Sequence, residues 1–313
     1  MNFSSEVKNE LLKIKYDSDC CKIAGLSAYI RATGAVVTKD GKIGFEVSSD
    51  NSEAAMYYVD LLTDIYGEDV NAVVNEDKLN RKERITFSFV TEGSLEILND
   101  IGILASDTEG FSINLNIDER LIEKDCCKLA YIRGYFMGNG SLTVPKLNGE
   151  SSTGYHLEFI FTSYQAATDF CEILSEEYMI PKLIERKGNF VVYLKTREEI
   201  CDFLALIGAT KSYLKLTELT IEKDLKNRTN RQVNCELSNM TKQIDASLKQ
   251  INAINNISET VGLDSLPDTL RTVAENRLEY KDETLSQIAQ RLNITKSCLN
   301  HRLRKLMEIS NNL

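Results

Sequence analysis

The amino-acid sequence predicts an α+β chain: a pseudo-symmetric tandem αββαββα domain followed by a compact all-α domain. Three observations carry that prediction. Residues 20–36 (CCKIAGLSAYIRATGAV) recur as residues 126–142 (CCKLAYIRGYFMGNGSL), without a gap, at an offset of 106. Leu98, Ile101 and Gly102 match Leu204, Ile207 and Gly208 at the same offset. Between these anchors the hydrophobic pattern runs through the same element order twice, and one spacing kept across several anchors marks an internal repeat. Charge also divides along the chain. The 313 residues carry 37 Lys/Arg and 47 Asp/Glu, a net charge of -10. Residues 226–313 hold 13 basic and 10 acidic side chains, whereas residues 1–225 hold 24 and 37. Two parts of opposite electrostatic character share one chain.

In repeat 1, about 1–105, strands are expected near 35–38 and 43–49 around a turn at 39–42. A helix follows near 52–66, then a hairpin of 69–76 and 84–90, and a helix at 94–101. Repeat 2, about 118–212, gives strands near 141–145 and 155–161, a helix at 163–178, a hairpin of 182–186 and 189–195, and a helix at 197–207. Ala54-Ala55 corresponds to Ala166-Ala167 at an offset of 112. A longer first hairpin in repeat 2 adds six residues, and its shorter second hairpin removes them.

Each repeated helix carries a small residue at every fourth position: Ala24, Ala28 and Ala32 in one, Ala130, Gly134 and Gly138 in the other. That spacing places them on one face. Glycine weakens a helix, so its use here requires a packing reason. The two helices are expected to pack backbone to backbone on the pseudo-twofold axis.

Residues 132–140 (IRGYFMGNG) resemble the LAGLIDADG motif of homing endonucleases, and residues 26–34 (LSAYIRATG) resemble it in repeat 1. The resemblance implies that paired motif helices form the interface, that saddle-shaped sheets face DNA, and that an acidic residue before each final Gly helps hold a divalent metal. This chain departs from the motif there. Thr33 and Asn139 occupy the positions of the lost acids, and Arg31 and Met137 the earlier acidic position. Mg²⁺ takes hard, usually anionic oxygens, and a hydroxyl and an amide do not replace two carboxylates. No catalytic residue, metal or cofactor is therefore expected. A metal-dependent endonuclease is the competing enzyme reading, and these two positions count against it.

From Leu266 the pattern becomes helical. A helix follows Pro267 to about Glu279, with Leu270, Val273, Ala274 and Leu278 as its apolar stripe. A second starts near Thr284, where Thr284-x-x-Gln287 has capping-box spacing. Asn293 tolerates the left-handed exit of a tight turn, and Thr295 caps a third helix, about 295–309. Leu299, Leu303 and Leu306 face inward. Ser297, His301 and Arg304 fall opposite, flanked by Asn300 and Lys305. Lys296, Arg302, Arg304 and Lys305 lie within ten residues that contain no acid. This is the layout of a helix-turn-helix whose second helix enters the major groove of double-stranded DNA. The candidate DNA-binding residues are Thr284, Lys296, Ser297, Asn300, His301, Arg302, Arg304 and Lys305. Arg304 suits guanine and Asn300 adenine, while Arg302 and Lys305 suit phosphates. A solvated basic cap is the plainer reading.

Beyond the motif helices, residues 3–8 (FSSEVK), 230–236 (NRQVNCE) and 300–305 (NHRLRK) resemble the WhiA family over nearly the whole chain. The resemblance implies a degenerate LAGLIDADG domain plus a helix-turn-helix. It also implies a DNA-binding transcriptional regulator tied to sporulation, cell division or chromosome segregation.

The expected domains are residues 1–212, a helical linker at 213–262, and the helix-turn-helix at 263–313. In the linker, Asn227, Arg228, Asn230, Arg231 and Asn234 form an Asn/Arg cluster. It reads equally as a second phosphate or interdomain patch and as a solvated helix end. Met240, Ile244, Leu248, Ile251 and Ile254 make an amphipathic stripe, expected to pack on a domain. The second hairpins hold Lys78, Arg81, Lys82 and Arg84, and Lys182, Arg186 and Lys187. These clusters are a candidate second DNA patch or ordinary solvated hairpin tips. The acidic N-terminal domain is a candidate platform for RNA polymerase or a co-regulator.

Cys20, Cys21, Cys126 and Cys127 would suit zinc if the helix N-termini met. Neither pair has C-x₂-C spacing, and adjacent helical side chains diverge, so buried structural thiols are expected. His156 has no Cys or carboxylate beside it and reads as structural. No window of 18 apolar residues exists, the first residues are polar, and eight cysteines without a leader fit reduced thiols. The expected location is cytoplasmic and nucleoid-associated.

Overall fold

The computed structural model describes residues 2–67, 71–77, 82–107, 110–145 and 154–313. Two compact units result, Met1–Lys223 and Asp224–Leu313.

The first unit opens with a helix that the repeat pattern did not announce, α1 (Phe3–Leu11). Asn2 caps it, its side chain accepting from Ser5 N at 2.8 Å, and Phe3, Val7 and Leu11 bury its inner face. Repeat 1 then runs α2 (Asp19–Thr33), β1 (Gly34–Lys39), β2 (Lys42–Ser49), α3 (Ser52–Tyr66), β3 (Asn71–Asp77), β4 (Lys82–Phe89) and α4 (Ser94–Asp100). A hairpin of β5 (Leu104–Asp107) and β6 (Gly110–Ile113) joins the repeats; it too was missing from the expected pattern. Repeat 2 follows as α5 (Asp125–Asn139), β7 (Ser141–Thr143), β8 (His156–Phe161), α6 (Tyr164–Glu176), β9 (Lys182–Arg186), β10 (Asn189–Leu194) and α7 (Arg197–Leu206).

Both repeats build the same antiparallel sheet. The strand orders are β1-β2-β4-β3 and β7-β8-β10-β9. Register pairs Val36 with Phe45 and Leu142 with Leu157 at corresponding places. The symmetry reaches single hydrogen bonds. Ser27 Oγ donates to Ile101 O at 2.6 Å, and Arg133 Nε donates to Ile207 O at 2.8 Å. Each carbonyl precedes a glycine with positive φ, Gly102 at 68° and Gly208 at 80°. Those glycines end α4 and α7 in the left-handed conformation that glycine adopts freely.

The small-residue faces do what their spacing requires. A Cβ on Gly134 would lie 2.2 Å from Gly25 O, and one on Gly138 would lie 2.6 Å from Ala32 Cβ. The backbones of α2 and α5 are therefore in direct contact on the symmetry axis. Around them lies one core, with Tyr29, Phe45, Phe89, Phe136, Phe159 and Phe203 among its buried aromatics. Tyr29 stacks on Tyr58 at 4.0 Å, and Tyr135 stacks on Phe161 at 4.4 Å.

α8 (Thr210–Thr260) is one unbroken helix of 51 residues. Its first turns belong to the first unit. Glu10 of α1 accepts from the backbone N–H groups of Lys211 and Ser212 at 2.6 and 2.9 Å, the position that favours an anion at a helix start. The segment 227–234 is therefore mid-helix rather than a helix end, since nothing in it breaks the backbone ladder. The expected packing of the apolar stripe is corrected in part. Ile251, Ile254 and Ile257 are buried, whereas Met240, Ile244 and Leu248 are exposed. The helices of the second unit cover only the final turns of α8. No helix among the described residues is long and apolar enough to cross a membrane.

The second unit closes over those turns with α9 (Asp268–Glu279), α10 (Leu285–Arg291) and α11 (Lys296–Asn311). Its core joins Ile254 and Ile257 to Leu270, Val273, Ile288, Leu299, Leu303 and Leu306.

Candidate nucleic-acid interface

The turn between α10 and α11 is fixed by local chemistry. The Thr284 hydroxyl accepts from Gln287 N, and the Gln287 side chain accepts in return from Thr284 N at 2.8 Å. This capping box starts α10. Asn293 leaves the helix with φ of 50°, and Ile294 N closes back on Ala289 O at 2.9 Å. Thr295 then caps α11, accepting from Cys298 N at 3.2 Å. With both ends fixed, Leu299, Leu303 and Leu306 turn into the core.

The opposite face of α11 is polar and open. Lys296, Ser297, Asn300, His301, Arg304 and Lys305 are exposed, and Arg302 is half-buried beside them. Two arginines elsewhere in this unit are committed: Arg271 pairs with Asp268 at 3.0 Å, and Arg291 pairs with Glu283. The four cations of α11 form no ion pair among the described residues, so their charge is available to an outside anion. Thr284 is exposed, but its hydroxyl is engaged in the cap. Arg277 is a residue the sequence pattern gave no reason to single out. It is 3% exposed, donates to Glu283 O at 2.8 Å and bonds Ser247, and so ties α9 to α8 and to the entry of α10.

A cleft of about 2160 Å³ opens in the first unit at the C-terminal ends of α2 and α5. Thr33 and Asn139 line it, and neither offers a metal site. Thr33 Oγ1 donates to Tyr29 O at 2.6 Å. Asn139 uses both ends of its amide on β8: Nδ2 donates to Ile160 O at 2.8 Å, and Oδ1 accepts from Ile160 N at 3.0 Å. The cations of the cleft are also occupied. Arg84 pairs with Asp50 at 3.0 Å, Lys215 pairs with Glu6, and Arg31 donates to the carbonyls of Asn114 and Gly102. Lys8 is held by burial well below the ordinary lysine value, to about 8, against the opposing charge of Asp50.

The other candidates scatter. Arg228 and Arg231 are exposed on α8, away from the face of α11 in sequence and in element. Lys182, Arg186 and Lys187 are exposed along β9 and its turn. Lys78 and Arg81 lie outside the described residues, and Lys82 starts β4. His156 does have a carboxylate neighbour: its Nε2 lies 3.0 Å from Glu158 on the same strand face. A period of two brings residues 156 and 158 together, which adjacency alone does not show. The expected divergence of the cysteines is also corrected. The four sulfurs of Cys20, Cys21, Cys126 and Cys127 lie within 4.8 Å of one another, because the N-termini of α2 and α5 converge.

A duplicated LAGLIDADG-like scaffold joined to a helical helix-turn-helix module defines the class of protein. Residues 19–104 match the family described as the WhiA N-terminal LAGLIDADG-like domain, residues 128–226 the WhiA LAGLIDADG-like domain, and residues 229–310 the WhiA C-terminal HTH domain. A relative from Bacillus cytotoxicus named "Probable cell division protein WhiA" is 38% identical, over 100% of this chain and 97% of its own. One of the same name from Alkaliphilus metalliredigens is 36% identical over 99% and 98%. The crystal structure of full-length DUF199/WhiA from Thermatoga maritima shares the fold with a TM-score of 0.57, covering 100% of this chain and 99% of that one at 24% identity. The chain belongs to the WhiA family.

Proposed function

We propose that this chain is a sequence-specific binder of double-stranded DNA that regulates transcription, and that its nuclease-derived scaffold is catalytically silent. The observation that carries the reading is the outer face of α11. It holds four cations with no ion pair among the described residues, with Ser297, Asn300 and His301 between them, on the second helix of a tightly capped turn. Such a helix fits the major groove. In this reading Arg304 and Asn300 read base edges, and Arg302 and Lys305 hold phosphates. The relatives' name supports a role in cell division, and by extension in chromosome segregation or sporulation, acting in the cytoplasm at the nucleoid. Silence of the scaffold follows from Thr33 and Asn139. Both are neutral, and both are spent on backbone partners.

The net negative repeat domain supports a second role, as a docking surface for RNA polymerase or a co-regulator. The committed cations of its cleft and its acidic surplus disfavour strong DNA affinity.

Duplexes selected from a random pool with the full chain provide the test. Arg304→Ala lowers affinity for the selected site at fixed salt by about 1–3 kcal/mol, roughly 5- to 150-fold, and relaxes one base position. Unchanged affinity would remove α11 as the reading helix. Incubation of the wild-type chain with supercoiled plasmid and Mg²⁺ is expected to leave the plasmid intact. Nicking that Asn139→Ala abolishes would restore the nuclease reading.

A further inference from the structure

At the end of α2 and α5 opposite the cleft, the chain gathers four cysteines that neither the DNA-binding face nor the scaffold's ancestry uses. We propose that Cys20, Cys21, Cys126 and Cys127 form a structural tetrathiolate site for Zn²⁺ that clamps the two repeats at their pseudo-twofold axis.

The geometry is that of a single ion. All four sulfurs lie within 4.8 Å of one another, and Cys126 and Cys127 Sγ are 3.9 Å apart. Tetrahedral Zn²⁺ with Zn–S near 2.3 Å sets its sulfurs about 3.8 Å apart. Closing the ring therefore takes shifts of roughly an ångström in side chains that sit in the first helical turns. An iron–sulfur cluster distributes its cysteines over separate irons and needs a wider cage. All eight cysteines of the chain are free, so the four sulfurs are not already tied in disulfides.

The surroundings give the sulfurs outer support. Ser18 is the N-cap of α2, the position whose hydroxyl normally accepts from the helix backbone. Here it makes no such bond. It is turned toward the sulfurs instead, 3.1 Å from Cys20 Sγ and donating to Cys21 Sγ at 3.2 Å. A cap is forgone for an outer hydrogen bond to the ligands, the kind of support metal sites use. Two helix N-termini aim their positive ends at the same point. Cys21 and Cys127 are buried with Ala24 and Ala130, Cys20 is half-buried and Cys126 is exposed, so the site has a dry floor and an open mouth.

Binding balances as four thiols plus Zn²⁺ giving one tetrathiolate of net charge -2 and four protons released to solvent. No oxidant is required. The site is also remote from the cleft. Thr33 lies thirteen positions beyond Cys20 in α2, about 20 Å at helical rise. A metal here cross-links repeats and takes no part in cleavage.

The test uses the full chain purified in reductant without added chelator. Elemental analysis is expected to find about one zinc per chain, and Co²⁺ exchanged into the wild type to give the intense charge-transfer and visible bands of a tetrahedral tetrathiolate. Cys126→Ser, at the exposed ligand, abolishes stoichiometric zinc while circular dichroism stays native. A chelator lowers the Tm of the wild type and leaves that of Cys126→Ser unchanged. The proposal fails if the folded wild type holds no zinc, gives no tetrahedral Co²⁺ spectrum, and shows all eight thiols titrating freely. It fails equally if zinc is retained in Cys126→Ser, Cys20→Ser and Cys127→Ser, since the metal then sits elsewhere.

Discussion

Asn139 shows how one side chain can be spent wholly on backbone partners. Its amide matches the N–H and the C=O of Ile160 together, as a strand neighbour would. A carboxylate can accept from Ile160 N but cannot donate to Ile160 O. Asn139→Asp therefore does not restore a metal ligand cheaply. It sets an anion against a carbonyl and is expected to cost about 1–3 kcal/mol of stability, measured by urea unfolding at pH 7. Recovery of that loss on acidification, as the carboxyl gains a proton it can donate, distinguishes this cause from a general packing defect. Lys8 gives a second residue-scale prediction. Burial lowers its folded value to about 8, below the 10.5 of an unperturbed lysine. Between pH 8 and 10.5 the unfolded chain binds more protons at this group, so its contribution to stability rises with pH across that window. Lys8→Met removes the penalty of the buried charge. The variant is expected to be the more stable at pH 7, with the advantage shrinking as pH climbs from 8 to 10.5 in paired unfolding curves. A constant difference across that range would mean that Lys8 acts through packing alone.

At the level of elements, the paired helices decide the fold. Alanine is the better helix former by about 1 kcal/mol, so an open site would gain from Gly134→Ala. The new Cβ would instead lie 2.2 Å from Gly25 O, a backbone atom that cannot swing aside. Overpacking costs about 1–3 kcal/mol, and with the Gly25 backbone and the Ala28 Cβ both in the way the upper end is expected. Steric cost thus exceeds propensity, and the Tm falls. Gly154→Ala, where nothing among the described residues lies within 4 Å, is the neutral control. The same contrast explains which elements were legible. The offset of 106, the Ala/Gly stripe and the capping box at Thr284 all express short-range rules, and the motif helices, both sheets and the helix-turn-helix follow from them. Three features do not. The hairpin of β5 and β6 carries no repeat counterpart to align. Helix α8 reads as a linker because its middle is polar, although only a Pro or Gly would have broken it. The meeting of four cysteines depends on how α2 crosses α5, which no spacing within either helix encodes. For the proposed DNA-binding face, the sequence supplied the side chains. Their freedom from ion pairs, and the burial of Arg277, needed coordinates.

The whole molecule keeps its two charges apart. Residues 1–223 carry 24 basic and 36 acidic side chains, and residues 224–313 carry 13 and 11. Acidity in the first unit works against DNA, yet Lys182, Arg186 and Lys187 stand exposed on it. Their position offers another cause for their presence. β9 is the edge of its sheet, with one row of backbone groups unpaired and Ile184 exposed among them. Charged side chains on an edge strand deter pairing with other chains. The two roles differ in their response to salt. Each phosphate contact removed lowers the slope of log affinity against log salt by about 1. Arg302→Ala and Lys305→Ala, on α11, are each expected to lower the slope by about that amount. The triple variant K182A/R186A/K187A is expected to leave slope and affinity unchanged, within about twofold, while aggregating more readily on concentration. A fall of two or more in its slope would instead place DNA across the second sheet, and the acidic body would then be a second, weaker reader of the same duplex.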